Sequence, residues 1–147
     1  MSFHDYIYDP SSLTKKLRAA AAQNFFVNVL SEAFVEVAAE NLPLLNLTGV
    51  QTLWRREVEL YVDEMPWIHA VTWIPRETLT GPGEALLTLG NHSLGDLLAT
   101  DKNLRRSEFV LAEAGITRSS VFYFFGKPLV VTEKFLPKAL AYFSKPL

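Results

Sequence analysis

The amino-acid sequence predicts an α+β fold in which a single antiparallel β-sheet carries flanking helices. Three features point there. Strand-like segments occur as hairpins, helix-like segments fall between the hairpins, and the regular strand–helix alternation that builds a parallel sheet is missing. With 147 residues, 49% apolar and 20% charged, the chain is expected to form one domain over residues 1–147 around one core, and to be too apolar for disorder.

The elements follow in order. Ser11 and Ser12 precede a run of good helix formers from Leu13 to Ala22, so a capped helix is expected there. Phe25 to Leu30 is rich in aromatic and β-branched residues and reads as a strand that can extend to Val37; Pro43 and Gly49 mark a loop. Trp54 to Val62 alternates, Asp63 to Pro66 reads as a turn, and Trp67 to Ile74 returns as the second strand of a hairpin ended by Pro75. Gly81-Pro82-Gly83 breaks the chain. Glu84 to Leu89 then suggests a short helix stopped at Gly90, and the Ser93 hydroxyl is placed to cap another. Arg118 to Phe125 and Leu129 to Leu136 form a second hairpin around Gly126-Lys127-Pro128, closed by Pro137. No internal repeat, low-complexity tract or domain linker is found.

Composition excludes several function classes. The net charge of −2, from 14 basic and 16 acidic residues, gives no electrostatic footprint for nucleic acid or an anionic membrane surface. The absence of cysteine excludes disulfides, thiolate zinc sites, iron–sulfur clusters and a cysteine nucleophile. Met1 to Pro10 carries Asp5 and Asp9 and lacks both a basic start and an apolar h-region, so no secretory signal is expected. The longest apolar runs, such as Val121 to Phe125, are of strand length, and no integral membrane segment is expected. A cytoplasmic, monomeric protein is the resulting expectation.

Two charges break the strand pattern. Successive side chains of a strand point to opposite faces. From Trp54 one face reads Trp54, Arg56, Val58, Leu60, Val62; the other reads Arg55, Glu57, Glu59, Tyr61, Asp63 and is taken as the solvated one. Arg56 therefore lies among apolar neighbours. In the last strand Glu133 shares its face with Leu129, Val131 and Phe135. A buried charge costs several kcal/mol without a partner. Either Arg56 and Glu133 pair with each other or sit at wet strand ends, or they line an internal ligand cavity in which the forked guanidinium grips a carboxylate. The pattern nominates the residues without naming a ligand.

Several ordered segments resemble the chorismate lyase family. They are the run from Trp54 to Leu60, Pro66-Trp67, Val71 to Pro75, Thr78 to Pro82, Leu89-Gly90 and Ser93 to Leu98. Arg118-Ser119 and the run from Gly126 to Pro137 complete the set, which spans roughly residues 11 to 142. The resemblance implies a cofactor-independent lyase that converts chorismate to 4-hydroxybenzoate and pyruvate, the first committed step towards ubiquinone. It places the family's carboxylate-binding arginine on Arg56 and its glutamate on Glu133, the two residues that the alternation singles out. Two backbone contacts to the ligand fall on Leu94 and, in the early segment, on Leu13. Arg56 and Glu133 are thus expected to be catalytic, and Arg56, Leu94, Glu133 and Leu13 to bind substrate. Ser93 stands where the family commonly has proline, and Leu13 where it has methionine. The N-terminal stretch is shorter than is usual in the family, which would thin part of the cavity wall. Arg118 and Lys127 are candidates for the second carboxylate of the substrate, or else surface charges flanking a hairpin turn.

Other signals carry less. His4, His69 and His92 lack metal spacing, and His69 reads as a packed or rim histidine. Gly81-Pro82-Gly83 lacks the glycine pattern and lysine of a phosphate loop, and Arg105-Arg106 is too short for nucleic acid. Trp54 and Trp73 read as core residues on apolar faces. The alternatives to a lyase are an effector-sensing module that binds an aromatic acid without turnover, and an interaction protein in which Arg56 and Glu133 form a buried ion pair.

Overall fold

A computed structural model describes residues 3–9 and 12–144 of the chain. Two tight turns fix its hairpins. Strands β2 (Val50–Val62) and β3 (Met65–Ile74) meet at Asp63-Glu64, with φ of 48° and 74°. Strands β6 (Thr117–Phe124) and β7 (Lys127–Phe135) meet at Phe125-Gly126, with φ of 49° and 84°. Two successive positive φ values match the twist of the flanking strands, and Gly126 supplies one of them without a steric cost. Lys127 and Pro128 therefore belong to β7 and not to the turn, as the pairing of Lys127 with Phe124 requires.

The sheet has seven strands: six run in the order β1 (Phe25–Ala38), β2, β3, β7, β6, β4 (Arg105–Arg106), and the seventh, β5 (Val110–Ala112), also pairs with β6, all antiparallel. The expected α+β class with one antiparallel sheet is what forms. Strand β1 is the long edge strand, while β4 and β5 share the far side of β6. A β-bulge between Val29 and Ser31 inverts the face of the second half of β1. Before it, Val27 and Val29 point inward; after it, Glu32 lies opposite Arg56 and Phe34 opposite Trp54.

Helices α1 (Phe3–Ile7), α2 (Leu13–Ala20) and α4 (Pro137–Phe143) cover one end of the inner face. There Ile7, Leu17, Val58, Ile68, Phe135 and Phe143 form a buried cluster. Ser12 caps α2, its hydroxyl accepting from the Lys15 N–H at 3.3 Å; Ser11 lies outside the described residues. Pro137 ends β7, as expected, and also opens α4, because a proline at the first helical position loses no hydrogen bond. At the other end of the inner face, α3 (Leu94–Leu98) and the 3-10 segment Gly81–Thr88, which buries its own Leu86, cover Ile74, Phe124 and Leu129. The segment expected as a helix from Glu84 is thus part of a tighter 3-10 run. Gly83 allows it, since a Cβ there would lie 1.7 Å from the Thr78 carbonyl oxygen.

The outer face of β2 is less solvated than the alternation implies. Leu53, Leu45, Val121 and Val130 form a third buried cluster on it, and Trp73, opposite Arg55, packs against that cluster as the core residue expected. His69 sits on the same side, its Nε2 2.7 Å from Glu57, a half-buried rim position. The His4 side chain lies outside the described residues. Among the described residues no helix is long and apolar enough to cross a membrane, and no three His, Cys, Asp or Glu side chains are grouped to hold a metal.

Candidate active site

Between the two inner clusters the sheet leaves a cavity of about 270 Å³, and Leu13, Arg56, Leu94 and Glu133 all line it. The strand pattern explains why two charges point inward. Arg56 pairs in register with Thr72 on β3, which pairs with Val131 on β7; Glu133 lies two residues further along that strand. Two ladder spacings sideways and two residues along put the Arg56 and Glu133 backbones about 12 Å apart. They do not pair with each other.

Arg56 is 2% exposed. One terminal nitrogen, Nη1, donates to the Gly90 carbonyl at 2.7 Å, and Nη2 donates to the His92 carbonyl at 3.0 Å. Gly90, at φ 56°, turns the chain there. The charge partner is Glu32, whose Oε2 lies 3.4 Å from Nη1. Burial pulls the guanidinium below its usual pKa, and the Glu32 carboxylate opposes that pull. Two of the five donors go to backbone carbonyls, so donors remain for a ligand carboxylate.

Glu133 is held by Arg118, its register partner on β6, whose Nε donates to Oε1 at 2.8 Å. Arg118 is 3% exposed and also donates from Nη1 to the carbonyls of Ile7 (3.0 Å) and Asp9 (3.3 Å). The surface alternative for Arg118 is therefore overturned: it ties the N-terminal segment to the cavity wall. Lys127 is the reverse case. It is exposed and donates to the Thr80 hydroxyl at 2.6 Å, so it is not a cavity cation.

Helices α2 and α3 meet over the cavity. The Thr14 and Ser93 hydroxyls lie 3.1 Å apart, and Arg18 grips Asp96 through two bonds of 2.9 and 2.5 Å. Ser93 also caps α3, accepting from the Asp96 N–H at 3.3 Å. The departure from proline thus has a local purpose, since proline could make neither contact. Leu94 begins α3, where an amide has no acceptor within its own helix.

Sequence reasoning missed Glu32, because the β1 bulge hides its face. It also passed over Arg106, which lines the cavity from the two-residue strand β4. A two-residue strand has no alternation to read.

Fold and site together define an α+β domain with a mostly apolar cavity, lined by three arginines, under two clasped helices. Residues 1–145 match the model of the family described as chorismate lyase. The chorismate pyruvate-lyase of Erwinia tasmaniensis is 37% identical, over 97% of this chain and 83% of that protein. That of Pectobacterium atrosepticum is 34% identical, over 95% and 80%. Among solved structures, the ligand-binding domain of a GntR-family regulator from Bordetella bronchiseptica shares the fold. Its TM-score is 0.54 at 17% identity, covering 78% of this chain and 83% of that one. The chain belongs to the chorismate lyase family.

Proposed function

We propose that the protein is a chorismate pyruvate-lyase. The observation that carries this reading is that Arg56 and Glu133 line one cavity from different strands. Chorismate bears a carboxylate on its ring, a hydroxyl on the ring carbon opposite, and an enolpyruvyl ether on the carbon next to that hydroxyl. Elimination breaks the ether C–O bond, whose electrons leave on oxygen as the enolate of pyruvate. The hydrogen on the hydroxyl-bearing carbon leaves as a proton, and the ring becomes aromatic. No net oxidation or reduction occurs.

In this reading Arg56 anchors the ring carboxylate through its remaining donors, with the Leu94 amide beside it and Leu13 closing the wall. Glu133 meets the ring hydroxyl and serves in proton transfer. The arrangement acts mainly by holding the substrate dry and oriented. Residues 1–147 would act as one domain, as a monomer in the cytoplasm, binding 4-hydroxybenzoate as product and supplying it to ubiquinone synthesis.

The test is incubation of the purified protein with chorismate while the absorbance of 4-hydroxybenzoate is followed. Product formation is expected, and Arg56→Ala should abolish binding of 4-hydroxybenzoate. Binding without product would favour the effector-sensing alternative, to which the likeness to a regulator's ligand-binding domain lends its fold. Near-normal affinity in Arg56→Ala would refute the anchor.

A further inference from the structure

The arginines around the cavity are not equally provided for. Arg56 has Glu32, and Arg118 has Glu133. Arg106 lines the same cavity, is half-buried, and has neither a hydrogen-bond acceptor nor a carboxylate in ion-pair contact among the described residues. Its guanidinium lies instead over the rings of Phe109 at 4.2 Å and Phe122 at 5.4 Å. Stacking occupies the faces of a guanidinium and leaves its in-plane N–H donors available.

The sheet sets where those donors stand. Arg106 pairs with Phe122 on β6, and Phe122 shares its inward face with Arg118 four residues earlier. Arg56 is four strands away, about 19 Å of ladder spacing, a gap that both side chains narrow from opposite walls. Glu133 lies between them, beside Arg118. Burial and the like charge of Arg118 depress the Arg106 pKa, while Glu133 and Asp9 oppose them. An unpaired, partly desolvated cation beside a second cation is a place where an anion is stabilised.

We propose that Arg106 receives a second carboxylate, so that the cavity takes a dianion with its two charges at opposite walls. The inference rests on the chorismate reading, in which the ring carboxylate goes to Arg56 and the enolpyruvyl carboxylate to Arg106. The second carboxylate departs with pyruvate, and 4-hydroxybenzoate, a monoanion, cannot use Arg106. Arg106 therefore contributes to the binding of substrate and not to that of the aromatic product. Arg106 also borders a wider groove of about 640 Å³, which shares Leu104 and Phe122 with the cavity. A role in drawing anions inward from that groove would act on both ligands alike, which separates it from the role assigned here.

The experiment measures chorismate KM and 4-hydroxybenzoate Kd for the unaltered protein, Arg106→Gln and Arg106→Lys. Arg106→Gln is expected to raise KM at least about tenfold while product Kd stays within about twofold, and Arg106→Lys to recover part of the loss. A second measurement needs no variant to fold. Against the unaltered protein, meta-(carboxymethoxy)benzoate, a dianion, should compete for the cavity at least about tenfold better than monoanionic meta-ethoxybenzoate. Unchanged KM in Arg106→Gln, a parallel loss of product affinity, or equal competition by the two benzoates would overturn the proposal. Turnover with an unchanged KM in Arg106→Gln defeats this proposal alone. Binding without turnover defeats the lyase reading alone, and the benzoate pair still decides Arg106. Neither binding nor turnover defeats both.

Discussion

Replacing Glu32 with glutamine should make the protein less stable and its product bind more tightly. Arg56 is buried, and Glu32 is its only carboxylate partner within 4 Å among the described residues. Breaking a fully buried pair costs about 3–5 kcal/mol. Here the cost is smaller for two structural reasons. Arg56 keeps its bonds to the Gly90 and His92 carbonyls, and the Glu32 side chain, on the edge strand, is 18% exposed. About 1–3 kcal/mol remains, the cost of leaving a buried polar group without its partner. In a chain of this size that lowers Tm by roughly 2–12 °C. Binding moves the other way. In the proposed complex two carboxylates grip one guanidinium, each within about 4 Å, so they lie at most about 8 Å apart and repel by at least about 2 kcal/mol at an effective dielectric of 20. Glutamine removes that repulsion while the two carbonyls keep Arg56 aimed. The Kd for 4-hydroxybenzoate should therefore fall about 30-fold. Thermal melts and titration calorimetry on Glu32→Gln read both quantities. Weaker binding, or an unchanged Tm, would show that Glu32 is not a competing counter-charge for Arg56.

Three further outcomes are expected. Glu133→Gln keeps an acceptor for Arg118 but not the proton-transfer group, so turnover of chorismate should fall by about 100-fold or more; undiminished turnover in the absorbance assay would leave Glu133 a binding role at most. Asp63 accepts from the N–H groups of Ala22, Gln23 and Asn24 at 2.7, 2.7 and 3.0 Å, and these bonds hold its carboxyl below the usual range. Because its folded pKa is the lower one, its stabilisation is present above the ordinary carboxylate pKa of about 3.9 and is lost as pH falls through the folded value. Asp63→Asn should then melt lower at pH 7 and show a flatter Tm below about pH 4, and melts across that window check it. In Gly95→Ala a Cβ would stand 2.7 Å from the Thr14 hydroxyl, prising α2 from α3. A loss of about 1–3 kcal/mol is expected in denaturant titration.

Arg56 and Glu133 were legible in the sequence because each interrupts an otherwise apolar face of a regular strand, and strand alternation has only two faces to choose between. Leu13, Leu94 and the Ser93 cap came from the ordered resemblance and from capping chemistry, both local signals. The partners of the two charges were not legible. Glu32 comes inward only because one extra residue in β1 shifts its parity, and nothing in the spacing of Phe25 to Val37 marks the bulge. Arg118 was assigned to the right strand, yet its burial depends on the backbone of Ile7 and Asp9, more than a hundred residues away. The terminal helix went unread because its inward contacts, Ala139 and Phe143, occupy only two positions of a seven-residue segment. Contacts close in sequence carry a period; contacts across it carry none.

The burial of the three arginines follows their pairing. Arg56 and Arg118 each have a carboxylate, and both are at most 3% exposed. Arg106, without one, keeps part of its surface in water. An unpaired guanidinium could not be enclosed fully without a cost of several kcal/mol, so the half-buried position is where such a residue can wait for an anion. The paired glutamates let the buried arginines line the cavity, and the role proposed for the surplus cation is to select the anion that enters it. The Bordetella bronchiseptica domain shares the fold alone, so the chemistry rests on the site and not on the scaffold. On that scaffold this chain carries Arg56, Arg106, Arg118 and Glu133 on its inner face. A dianion placed between Arg56 and Arg106 would satisfy both walls, and losing one carboxylate in the reaction would release one of them. Arg56 would keep its anion in the product complex, and Arg106 would not.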